Sequence, residues 1–197
     1  MSNAPWLVTL EADAPDTVAC WRAIDGTFSG LRQLRRELRA RIHVGDAPRI
    51  LAEQEGIGTA LEEMLDGLSE ELLRAPGGEE DWNVAQAFAH TTAARSFLAS
   101  WAALDAAGEW PEDDPPVVRP SVPGRADASR DRLRWFLYGS TDSLRASAAR
   151  IAGHETDRCR VEHPLVGRLR CGDWLLFVGV HDLMHLEQLH RLSGSDG

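Results

Sequence analysis

A chain of 197 residues with 43% hydrophobic and 26% charged residues is long enough to bury one core and has the make-up of a soluble globule. Its 31 acidic residues stand against 21 basic ones, a net charge of −10 that repels phosphate backbones, so no nucleic-acid partner is expected. All the basic residues are arginine, and a chain without lysine has no Schiff-base, pyridoxal-anchoring, Walker-type or lysine general-base chemistry.

Residues 1–45 read as a helical N-terminal appendage that packs on the bundle or on a partner. It opens on a short apolar Trp6-Leu7-Val8, then shows a weak helical pattern over 16–24 and a clearer one over 29–42. In the latter Leu31, Leu34, Leu38 and Ile42 share one side, and Arg32, Arg35, Arg36 and Arg39 form a solvated basic face.

Residues 46–197 read as four helices. The first covers 48–73, with Leu51, Leu61, Leu65, Leu68 and Leu72 recurring at threes and fours, Asp46 and Pro48 as start signals and Gly77-Gly78 as the stop. The second covers 83–105, capped by Asn83, with Val84, Ala87, Ala94, Phe97, Leu98 and Trp101 as its buried stripe. His90 falls within about 20° of Phe97 on that wheel and so faces inward. Residues 107–126 hold Pro111, Pro115, Pro116, Pro120 and Pro123, too many for a helix and enough chain to cross the length of a bundle. The third helix covers 128–152, with Leu133, Phe136, Leu137, Leu144 and Ile151 inward and Arg130, Arg134, Arg145 and Arg150 outward. After an irregular stretch over 153–172, the fourth starts near Asp173 and frays at 193–197. Its inward line is Trp174, Val178, His181 and His185.

No apolar run reaches membrane-spanning length, and Met1-Ser2-Asn3-Ala4-Pro5 lacks the basic start and apolar stretch of a signal peptide. No membrane association and a cytoplasmic location are expected. Cys20, Cys159 and Cys171 are odd in number and far apart, which suits small apolar filler rather than a disulfide framework or a thiolate zinc site.

His181 and His185 stand four apart on one helical face, and His90 is a third histidine on another inward stripe. That pattern is expected of metal ligands. Core packing of all three is the competing reading. Gln188, one turn past His185, either holds a ring nitrogen or a bound water or is an ordinary exposed glutamine. Trp174 and Trp101 either wall a pocket or pack in the core. His43, His154, His163 and His190 fall in loops or on exposed phases and receive no ligand role. A zincin protease is disfavoured, because Asp182 replaces the glutamate of that motif and no downstream ligand is in register.

The segment Trp82-Asn83-Val84-Ala85-Gln86-Ala87-Phe88-Ala89-His90 resembles the tryptophan-led second helix of the DinB/YfiT-like proteins. The segments His163-Pro164-Leu165-Val166-Gly167-Arg168-Leu169, Asp173-Trp174-Leu175 and His181-x-x-x-His185-x-x-Gln188 resemble the family's approach to its fourth helix and its histidine pair. The resemblance covers residues 48–193. It implies an all-α, up-down-down-up four-helix bundle, a metal site of His90, His181 and His185, and a homodimer; the additional N-terminal helical segment over 1–45 departs from it, being longer than a minimal member needs.

Three imidazoles leave at least one coordination position open, the arrangement of a reactive rather than a closed structural site. Zinc or nickel is the expected divalent ion, with iron also compatible. The resemblance implies transfer of a low-molecular-weight thiol, of the bacillithiol or mycothiol type, to a small electrophilic substrate. The catalytic residues stay unassigned. Two alternatives stand beside this reading: a metal-dependent hydrolase, for which Asp182 and Glu187 are the carboxylates on offer, and a non-catalytic metal-binding stress-response protein.

Overall fold

Helices form where prolines, caps and apolar spacing place them, in a computed structural model that describes residues 5–24, 28–77, 81–111, 118 and 122–194. Gly78, Pro115, Pro116, Pro120 and 195–197, used in the expectations above, lie outside the described residues. The N-terminal segment holds three helices, α1 (Pro5–Asp13), α2 (Pro15–Arg22) and α3 (Phe28–Arg41). Trp6-Leu7-Val8 is thus the first turn of a helix, and Pro15 opens α2 where its missing N–H costs nothing.

The expected single helix over 48–73 is two: α4 (Ala47–Gly67) and a short α5 (Glu70–Arg74). Leu68 is extended, and the Ser69 hydroxyl accepts from the Leu72 amide at 3.0 Å to start α5 afresh. A glycine at the end of one helix followed by a strong N-cap breaks a pattern whose leucines alone would continue. The other end of α4 is capped from a distance. Asp46 turns its carboxylate to the His43 amide at 2.7 Å, and the buried Glu155 carboxylate accepts the Ala47 amide at 3.1 Å.

Then come α6 (Val84–Ala106), α7 (Arg130–Ile151), a hairpin of β1 (Arg158–His163) and β2 (Gly167–Arg170), and α8 (Cys171–Ser193). The hairpin corrects the expected irregular stretch. Its strands pair Arg158 with Arg170 and His163 with Gly167, with a register break between Arg158 and Glu162. Cys159, Val161 and His163 point inward from β1. All three cysteines are buried free thiols.

Contacts fix the directions. Asn83 at the start of α6 donates to the Ala126 carbonyl just before α7, and Arg150 at the end of α7 pairs with Glu109 just after α6, so these two helices are parallel. Arg145 of α7 meets Glu55 of α4 at 2.7 Å and Arg134 meets Asp66, so α4 and α7 are antiparallel. Arg95 of α6 meets Asp182 of α8, and Ala99 and Ala102 share a core cluster with Trp174, so α8 runs against α6. The result is the up-down-down-up all-α bundle, with 107–129 as the crossover.

The N-terminal helices pack on this bundle. Leu7, Leu10, Ala14 and Val18 share a core cluster with Ile57, Leu61, Leu183 and Leu186, and Leu34, Leu38 and Ile42 share another with Trp174 and Val178. Gly179 permits this closeness: a Cβ there would lie 2.4 Å from Gln54 Oε1 and 2.7 Å from Thr17 Cγ2. No helix among the described residues is long and apolar enough to cross a membrane.

Candidate metal centre

Helix α6 starts from a capping box: the Gln86 amide donates to Asn83 Oδ1 at 2.9 Å, and the Asn83 amide donates to Gln86 Oε1 at 3.0 Å. Its most buried line is Val84, Phe88, Thr91, Arg95, Leu98 and Ala102, alternating fours and threes. His90 sits on the flank of that line and stays inward, 8% exposed. Phe97 does not: it is 60% exposed, so the expected stripe through His90 and Phe97 is turned, with Arg95 occupying the inner position.

Helix α8 brings His181 and His185 to the same place. Ring centroids lie 5.3 Å apart for His90 and His181, 5.1 Å for His90 and His185, and 4.6 Å for His181 and His185. One ligand nitrogen from each ring lies within 4.8 Å of the other two. A cation bound at about 2.1 Å needs nitrogens roughly 3 to 3.5 Å apart, so modest ring rotations complete the site.

Hydrogen bonds orient two of the three rings. His90 Nδ1 hydrogen-bonds the Val122 carbonyl at 2.9 Å, which puts its proton on Nδ1 and leaves Nε2 as the lone-pair donor. His185 Nδ1 faces Gln188 Oε1 at 2.9 Å with the same consequence, and Gln188 Nε2 donates to the Gly77 carbonyl, which fixes which way the amide points. Gln188 is 5% exposed, so it is the ring-holding residue and not a surface glutamine. Among the described residues His181 Nδ1 is buried without a hydrogen bond, and 3.9 Å away Asp182 Oδ1 is buried without one too. Burial, then the neighbouring His181, pushes the His185 imidazole down to about 4, so near neutral pH it is the uncharged ligand form.

The Val122 carbonyl could not be foreseen from sequence, because any residue carries one. What delivers it is Gly124, where a Cβ would fall 2.2 Å from Ala89 Cβ. The crossover lies directly on α6 there, and the Gly124 amide donates to the Gln86 carbonyl at 3.3 Å. Trp82, which leads the helix, packs its ring 5.2 Å from His90. Trp174 is a core residue against His163 and Phe177, and Trp101 packs on Trp110. Neither has a ring contact with the three histidines among the described residues.

Asp182 is fully buried and committed to Arg95, which also donates to the Gln54 carbonyl at 3.2 Å. Thr17 and Glu53 extend this interior polar chain: the Thr17 amide and hydroxyl donate to Glu53 Oε2 at 2.9 and 2.8 Å, and Gln54 Nε2 reaches Thr17 Oγ1 at 3.4 Å. Arg95 was missed because arginine ordinarily marks a surface position; its place in the inner heptad line is the available signal.

His163 departs from its expected exposed loop. It is 9% exposed and packs on Phe177, and its Nδ1 accepts the Leu165 and Val166 amides at 3.2 Å each, closing the hairpin turn. It lies outside the three-histidine group. Burial, with a smaller push from His181, holds its imidazole down at about 4. An unfolded chain protonates this side chain below about pH 6.5, whereas the folded one does not until about pH 4, so stability falls as pH drops through that window. The expected loss is roughly 3 kcal/mol. Urea midpoints of the wild type should fall between pH 7 and 4, and those of His163→Gln should fall less; parallel slopes would reject this assignment.

Gln188 gives a separate expectation. Gln188→Ala frees His185 to change tautomer and should weaken zinc binding about 10- to 100-fold with little loss of stability, as read by competition with a chromophoric chelator.

No curated protein and no solved structure matches the chain. A sequence profile of the DinB superfamily does match, over residues 55–189, a span that contains all three histidines. With the helix order and crossover above, that match makes the chain a member of the DinB superfamily.

Proposed function

We propose that the protein is a metal-dependent transferase that uses a low-molecular-weight thiol. The observation that carries this reading is the convergence of three imidazoles, with no carboxylate or cysteine in the group among the described residues and two of the rings with the outer nitrogen already tied down. Zinc or nickel suits that donor set, and iron is also compatible. When bound, the cation supplies Lewis acidity that lowers the pKa of a thiol or water at its open position.

The chain's own residues do the rest. Val122 and Gln188 keep the two Nε2 lone pairs aimed inward, and Asp182 Oδ1, 3.9 Å from His181 Nδ1, is an acceptor that this third ring would reach with a small rotation. Trp82 covers one side of His90. In the reaction the thiol sulfur forms a bond to an electrophilic carbon as its proton and the leaving group depart.

Hydrolysis is less well supported. Asp182, one of two carboxylates on offer, is locked to Arg95 in the interior and is no general base for a water at the site.

The test is to load the protein with zinc or nickel and mix it with bacillithiol or mycothiol and monochlorobimane. Conjugation faster than with metal-free protein, and lost in His181→Ala, is expected. Stoichiometric metal without any thiol dependence would replace this reading with the hydrolase or the non-catalytic metal-binding protein.

A further inference from the structure

On the side of the bundle formed by α1, α4 and the end of α8 lies a cavity of about 410 Å³ whose lining includes none of the three histidines. That volume is in the range of small-molecule sites. Leu10 and Met64, both buried, line its floor, and Trp6 and His190 form an aromatic wall. Those two rings stack at 5.0 Å with planes 10° apart, and Trp21 packs edge-on to Trp6 at 6.0 Å. The indole is therefore held before any ligand arrives.

The charge around this wall is selective. Asp13 and Glu63 both line the cavity. Every other acid of α1 and α4 has a partner: Glu11 with Arg22, Glu53 with Arg49, Glu55 with Arg145, Glu62 with Tyr138 and Asp66 with Arg134. Asp13 and Glu63 have no ion pair or hydrogen bond among the described residues, and no arginine lines the cavity. A cavity lined by two carboxylates without an ion pair, an indole at one end and the buried Leu10 and Met64 matches a positive charge carried on an apolar body. A bare calcium or magnesium ion fits poorly, because it demands six or more oxygen ligands and gains nothing from the floor.

We propose that this cavity is a binding site for a small organic cation, an ammonium group on an aromatic or aliphatic body. The site is independent of the histidine cluster and of the reaction proposed for it.

The probe is benzyltrimethylammonium, which cannot ligate a metal, titrated into the full zinc-loaded chain and followed by calorimetry and tryptophan fluorescence. Saturable one-site binding is expected, with 3-phenylpropionate at least about tenfold weaker. The variant Asp13→Asn/Glu63→Gln replaces two exposed carboxylates with isosteric amides, so circular dichroism should match the wild type. It should bind the cation about tenfold more weakly and lose the preference for cation over anion. His90→Ala should bind the cation as the wild type does. No saturable binding at millimolar probe, equal binding of cation and anion, unchanged binding by the double variant, or loss with His90→Ala would each overturn the proposal. Calcium displacing the probe at equal concentration would overturn it in favour of a simple divalent-ion site.

Discussion

Replacing His90 with alanine is expected to abolish stoichiometric metal binding while leaving the helical bundle folded. A three-nitrogen set reduced to two keeps only a weak, labile site, and the loss should exceed the ~100-fold upper end seen when a mere supporting partner is removed. The same holds for His181 and His185, whose rings lie within 5.3 Å of His90 and of each other. Elemental analysis after chelator-free purification, with competition titration, gives the readout. His43→Ala is the control, because that ring is 76% exposed and lies against the Asp46 carboxylate, outside the three-histidine group. Undiminished metal content in His90→Ala would remove the cluster from consideration as the binding site. So would loss in every variant including the control.

The largest stability effect is expected at Arg95 and Asp182. Both side chains are fully buried and each is the other's counter-charge. Removing one strands a charge in the interior, at a cost of about 3 to 5 kcal/mol. For a chain of this size that lowers the melting temperature by roughly 10 °C. Asp182→Asn and Arg95→Met should each show it by calorimetry. Combining Arg95→Met with Asp182→Leu should recover most of the loss, because replacing both charges by apolar groups removes the desolvation cost along with the attraction. Single variants that melt like the wild type would mean that water reaches the pair. A zinc titration on Asp182→Asn, run below its melting range, also tests whether this carboxylate supports the His181 ring across the 3.9 Å that separates them.

What the sequence revealed and what it hid divide along a physical line. His181 and His185 were legible because four residues on a helix return to one face whatever surrounds them. The start of α6 was legible because Asn83 and Gln86 cap it locally. Phe97 misled because a helical wheel knows hydrophobicity but not neighbours. The bundle turned Arg95 inward, where Asp182 neutralises it, and left Phe97 out. His163 was hidden for a related reason: its burial depends on packing against Phe177 of α8, a neighbour that a six-residue strand does not announce. The hold on His90 comes from a backbone oxygen, and that atom has no letter in the sequence.

The interior chain from Thr17 through Glu53 and Gln54 to Arg95 and Asp182 joins the second helix of the protein to the residue beside a proposed ligand. Trimming the protein back to the 55–189 stretch that carries the family signature would remove Thr17, Glu53 and Gln54 from it and bare the face of α8 around Gly179. The opening segment is thus a keel for the histidine helix, and a shortened version is a poor surrogate for the whole in any study of the site.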